Sequence, residues 1–215
     1  MPSIWHSRAN LIGNEMNIFV LDNDPKIAAT YLCDKHVPKM IVESAQMLST
    51  VHRLLDGIPE KRRSKSGKTM QTYYAFGDER DELYYLAVHK FHPCTTWTKE
   101  SKANYEWHYK HFKAMAEEYQ FRRNRVHSTY QKLGEILAKP PKNIPDIGLT
   151  EFAQAMSHYP DCKVPGDAVT AYRKYYHAAK PFAKWEWGRS APDWWRGFEG
   201  YKGSHPDWFL QEKQA

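Results

Sequence analysis

Apolar positions along this chain recur mostly with the period of a helix. Between Pro38 and Leu55, the residues Met40, Ile41, Leu48, Val51 and Leu55, with the small Ser44 among them, predict an amphipathic helix with one buried stripe. Lys39, Glu43, Gln46 and Thr50 follow at three- or four-residue intervals and form a polar strip beside it. Upstream, Asn17 to Leu21 is short, β-branched and aromatic, which permits a strand or a buried extended lead-in. Asp24 followed by Pro25 is a helix start, and opens a short helix to about Cys33. The polar, basic, glycine-bearing stretch from Asp56 to Gly77 reads as a long mobile loop. Asp78 can cap a helix running to Lys90. Pro93 can open a longer one to about Arg122, with Trp97, Ser101, Tyr105, His108, Phe112, Met115 and Tyr119 along one core-facing side. Pro140, Pro141, Pro145 and Gly148 mark a rigid connector, and short helices are expected at Thr150 to Met156 and Asp167 to Ala179.

The pattern predicts a mainly α protein: an extension over 1–15, a single helical domain over 16–187, and an aromatic-rich irregular tail over 188–215 packed on that domain. Five of the eight tryptophans (Trp185, Trp187, Trp194, Trp195, Trp208) fall in the last part of the chain. Left exposed they would promote aggregation, so most are expected to pack on the helices, with one or two open to stacking on a base.

Charge adds a partner to this picture. Lys and Arg number 31 against 25 acidic residues, a net +6, so the surface attracts polyanions. The basic residues gather in two places, at Lys61, Arg62, Arg63, Lys65 and Lys68, and at Arg122, Arg123 and Arg125. Cys33, Cys94 and Cys162 are far apart and odd in number, which suits a reduced compartment. Met1 to Glu15 contain no apolar signal region, and no run approaches the ~18 apolar residues of a membrane span, so a cytoplasmic location is expected. The pairs His89/His92 and His108/His111 could contribute to a metal site, but no H-E-x-x-H signature accompanies them, and no metal or other cofactor is expected. A Walker A sequence and a dinucleotide-binding glycine motif are both missing.

The run Asp34-Lys35-His36-Val37-Pro38-Lys39-Met40-Ile41-Val42-Glu43 resembles the helix of the phage endonuclease V-like pyrimidine-dimer DNA glycosylases, in which an Asp-x-His precedes the catalytic glutamate by the same interval. Tyr172-Arg173-Lys174-Tyr175-Tyr176 is similar to a Trp-Tyr-Lys-Tyr-Tyr segment near the DNA-binding face of those enzymes. A wider set of phage and bacterial proteins grouped with them shares Asp34, Lys35, His36, Lys39, Glu43, Gln46, Leu48, His92, Pro93 and Trp97.

The resemblance implies an all-helical enzyme that excises a damaged or modified pyrimidine from duplex DNA and nicks the abasic strand, with no obligate protein partner. In such a mechanism an amine attacks the sugar C1′ to form a Schiff base while a glutamate assists proton transfer. Glu43 would be that glutamate, with His36 beside it. The attacking group in the family is an α-amine, whose pKa of about 8 leaves much of it neutral. Here the amine could belong to Met16 or to Pro2, with Lys35 or Lys39 as substitutes if burial lowers their pKa. Where the phage enzymes carry arginines around the glutamate, this chain has Val42 and Gln46. Phosphate contacts are expected instead from Lys35, Lys39, Lys61, Arg62, Arg63, Arg122, Arg123, and the Tyr172, Arg173, Lys174, Tyr175, Tyr176 segment. Two other readings stay open: a non-catalytic nucleic-acid-binding protein on the same scaffold, and a metal-dependent nucleotide hydrolase using the paired histidines.

Overall fold

Residues 16–21 form a buried extended lead-in rather than a strand. Asn17 organises it: its Oδ1 accepts from the N–H groups of Ile18 (2.9 Å) and Phe19 (3.4 Å), and its Nδ2 donates to Ala155 O at 2.7 Å. Phe19 sits at φ 53°, a conformation held by the packing around its ring. The computed structural model describes residues 16–64 and 66–206. The extension over 1–15 with Pro2, and also Lys65 and Trp208, lie outside the described residues.

Asp24 caps α1 (Pro25–Tyr31) by accepting from Lys26 and Ile27. The central helix α2 (His36–Asp56) starts two residues before the proline that the sequence pattern suggested, and it packs along α4 (Pro93–Glu100) and α5 (Lys102–Arg123). Its polar strip is not solvated throughout, since Glu43 and Thr50 are buried with the apolar stripe.

Four expectations are corrected, each because a side chain captures backbone groups that a local pattern would have spent elsewhere. The stretch read as a mobile loop contains an antiparallel hairpin, β1 (Ile58–Arg63) against β2 (Met70–Ala75), the one sheet among the described residues. Arg53 anchors its base: buried at the end of α2, it donates to Tyr74 O, Tyr84 O, Tyr85 O, Asp81 O and the Asp81 carboxylate at 2.7–3.0 Å. The same capture stops the helix expected from Asp78 to Lys90, because the Tyr84 and Tyr85 carbonyls are no longer available to residues four further on. Only α3 (Arg80–Leu83) forms.

The long helix predicted from Pro93 is broken at Ser101, which is extended (φ −149°, ψ 154°) and caps α5 through its hydroxyl. The proline connector docks there, with Pro145 O accepting from Lys102 N–H and Thr150 exchanging hydrogen bonds with Asn104. The predicted core face nevertheless survives the break, and Trp97, Tyr105, His108, Phe112, Met115 and Tyr119 are all buried. The helix expected over Thr150 to Met156 is absent. Ala153 O, Ala155 N–H and Ala155 O go to the hydroxyl of Tyr172 and the amide of Asn17, and Gln154 pairs with Val164. The helix after Asp167 is α7 (Ala168–Ala179), and a short α6 (Ser128–Leu133) closes one side of α2.

The described part of the aromatic segment packs on α7 and α1. Trp194 and Trp195 stand edge-on to Tyr176, and the Trp185 indole N–H donates to Tyr31 O. Asp34 clamps its start by accepting from the N–H groups of Glu186 and Trp187.

Candidate active site

Glu43 lies on α2 seven residues after His36 and four after Lys39, so two helical turns bring the three onto neighbouring positions of one face. The carboxylate is buried between two partners. One oxygen faces Lys39 Nζ at 3.4 Å, and the other accepts from the backbone N–H of Asn17 at 3.2 Å. Burial pushes its pKa up, and the charge of Lys39, the Asn17 N–H and the more distant Lys180 oppose that rise. Such a carboxyl can exchange a proton nearer neutrality than an exposed one.

Lys180 comes from just beyond α7. Its ammonium donates to Tyr175 Oη (3.1 Å) and lies over the rings of Tyr175 and Phe19. Cys94, the second residue of α4, turns its thiol toward Asn17 Oδ1 (3.8 Å), and burial raises its pKa to about 12, so it is an inert thiol at neutral pH. A cleft of about 310 Å³ opens beside this centre. Met16, His89, His92, Pro93, Ala155, Met156 and His158 line it. The residue immediately preceding Glu43's backbone partner therefore faces the cleft.

His36 is fully enclosed. Its Nδ1 meets the Tyr176 hydroxyl at 2.5 Å, its ring stacks on Phe19 at 4.5 Å, and burial beside Lys180, Lys39 and Lys35 holds its pKa well below the usual value. A neutral, enclosed imidazole positions the lead-in through Phe19 and is not placed to carry protons to the cleft.

The lead-in, Glu43 and helices α2 and α4 all fall inside one sequence match: the family described as pyrimidine dimer DNA glycosylase aligns with residues 16–132, more than half of the chain's 215. The chain belongs to this family. It is thus a DNA-repair glycosylase in class, with DNA as its substrate. The match includes the cleft residues His89, His92 and Pro93 but ends before α7 and the aromatic segment. No curated protein and no solved structure matches the chain.

Several residues expected to touch DNA have other places in this glycosylase. Arg122 is buried and committed to Asp34, Glu118, Thr30 O and Leu32 O at 2.7–3.0 Å. Arg189 adds a second pair of bonds to Glu118. The Asp34 of the sequence motif is thereby a clamp, and Arg122 is withdrawn from the surface. Tyr172, Tyr175 and Tyr176 are core residues with no exposed ring, because the segment faces inward on α7. Arg173 is half-buried, donating to Leu21 O and pairing with Asp22, while Lys174 is exposed. Lys35 is exposed over the Phe182 ring, and Arg123 lies over Trp187 at 4.1 Å. Lys61, Arg62 and Arg63 project from β1, whose residues are all exposed.

The histidine pairs also separate. His108 is held between Thr98 Oγ1 and Ser44 Oγ, and both it and His111 are buried, with pKa values lowered to about 3. Among the described residues no group of three or more His, Cys, Asp or Glu side chains could hold a metal ion. The sequence pattern did not single out Asn17, Phe19 or Lys180. No local signal marks them, because Asn17 takes its place against α2 and Ala155, and Phe19 and Lys180 meet only when α7 folds back over the lead-in.

Proposed function

We propose that this glycosylase acts on damaged or modified pyrimidines in duplex DNA as a combined glycosylase and AP lyase. A neutral amine forms a bond to C1′ as the glycosidic bond breaks and the base leaves. The closed-ring adduct then gives up an N–H proton while its C1′–O4′ bond breaks and O4′ takes a proton, leaving an open-chain iminium, and loss of a C2′ proton expels the 3′ phosphate. Glu43 moves the protons in these steps. The observation that carries the reading is the hydrogen bond from Asn17 N–H to Glu43 beside a cleft that Met16 lines. An α-amine at Met16, freed by initiation or processing at that residue, would stand within one residue of the carboxyl. Lys39 is also close, and its Nζ is paired with the Glu43 carboxylate at 3.4 Å.

The test is borohydride trapping on duplexes containing an abasic site or UV photoproducts, followed by mapping of the adduct. Trapping at the lead-in amine is the expected result, and an adduct at Lys39 or Pro2 would reassign the nucleophile. No adduct on either substrate would overturn the lyase mechanism. Glu43→Gln should abolish strand cleavage by at least about a hundredfold, the usual scale for a lost general acid–base, while leaving binding intact.

A further inference from the structure

Phe91 is 91% exposed, far more than any other large hydrophobic residue described, the next being 67%. Single exposed hydrophobics are ordinary on a protein surface, but this one is rigidly presented. The backbone turns sharply through it, with His92 N–H donating to His89 O at 3.0 Å and His89 at φ 49°. On one side Val88 is tied to Thr50 of α2 by two hydrogen bonds of 3.0 Å. On the other, His92 caps α4 by accepting from Cys94 N–H, and Pro93 locks the first helical turn. Both anchors belong to the helices that build the Glu43 centre, and His89, His92 and Pro93 line its cleft. Phe91 thus rises from the rim of the cleft on a fixed mount.

Its surroundings are cationic. Lys90 lies over the Tyr74 ring of β2 at 5.2 Å. In the hairpin register Lys61 opposes Thr72 and Arg63 opposes Met70, and these share the Tyr74 face, since side chains alternate along a strand. That face contains no carboxylate. Glu60, on the other face, pairs with Arg62 at 2.6 Å. An exposed aromatic ring next in sequence to Lys90, whose ammonium reaches the hairpin face that bears Lys61 and Arg63, matches a nucleic acid, whose phosphates answer the cations and whose bases stack on the ring.

We propose that Phe91 inserts into the base stack of duplex DNA beside the nucleotide that enters the cleft, and fills the space this nucleotide leaves. The inference rests on the reading of the Glu43 cleft as the glycosylase site. It is tested by binding, without chemistry, to a duplex carrying a tetrahydrofuran abasic analogue with 2-aminopurine as its 3′ neighbour. The wild-type protein should raise 2-aminopurine fluorescence. Phe91→Ala should remove the rise and weaken binding about tenfold, the scale of one base–aromatic stack, with the salt dependence unchanged. Phe91→Trp should restore both. No rise with the wild-type protein, or an equal rise with Phe91→Ala, overturns the proposal, and the latter leaves the ring to a protein partner. A Phe91-dependent rise from a protein that borohydride cannot trap on abasic DNA would uphold insertion and overturn the Schiff-base chemistry instead.

Discussion

Glu43 stands between opposing influences: burial favours its neutral form, while Lys39 and the Asn17 N–H favour the carboxylate. Burial wins, so the acid limb of the pH–rate profile should lie above the ordinary carboxylate range. Lys39→Met removes one of the opposing influences, so it should shift that limb further upward, as read from kcat against pH. A limb that stays put or moves down would show that Lys39 does not act on Glu43. The same raised pKa bears on stability. A carboxyl raised in the folded state contributes stability that is present below its unfolded pKa and is lost as pH rises through the folded value. Above that folded value the ionised Glu43 is therefore a cost to the fold, and Glu43→Gln should raise the thermal midpoint there while abolishing cleavage. Glu43 itself was singled out in the sequence by the resemblance of the run from Asp34 to Glu43 to the family's helix, since its spacing from Asp34 and His36 is common to many helices. The roles of those two were not legible. Asp34 is spent on Arg122 and the aromatic segment, and His36 on Tyr176 and Phe19, because both point into the protein.

Helices α1, α2 and α7 were legible because their caps and apolar spacing are local properties. The hairpin was hidden because β1 buries no side chain and so carries no alternating pattern. What holds it is remote: the Arg53 guanidinium at its base and Gly57, where an added Cβ would collide with the Arg53 carbonyl. Its two faces should act unequally on DNA. Removing Lys61 and Arg63 together should lower the slope of log K against log salt by about one for each phosphate no longer neutralised. Arg62→Ala should change the slope less, because Glu60 already neutralises that guanidinium. A titration of binding against salt checks this, and equal effects from all three residues would show that the Glu60 pair opens on DNA.

At the scale of the whole molecule, the core encloses four neutral histidines. Burial lowers His52 to about 4 and His108 and His111 to about 3, and carries His36 well below its usual value. A histidine depressed by folding contributes stability above its unfolded pKa, near 6.5, and that stability is lost as pH falls toward the folded value. Between pH 6.5 and 4 the unfolded chain binds more protons than the folded one. Each such histidine then contributes a slope of about 1.4 kcal/mol per pH unit. Urea denaturation should show a midpoint at pH 5 well below that at pH 7. Coincident midpoints would mean that these imidazoles are not enclosed.

Taken by itself, the sequence determined the mainly helical class, the central helix that bears Glu43 and the basic character of the chain. These follow from composition and short-range periodicity, which one segment carries alone. Tertiary structure alone decided which polar residues are spent on the fold and which are left for DNA. Arg122 and Arg123 are neighbours in sequence, yet one is buried on Asp34 and Glu118 and the other is exposed. It likewise decided that Asn17, 26 positions from Glu43, should be its backbone partner. Spacing cannot express such choices, because a buried charge or backbone group takes whichever complement the packed chain brings within hydrogen-bond reach.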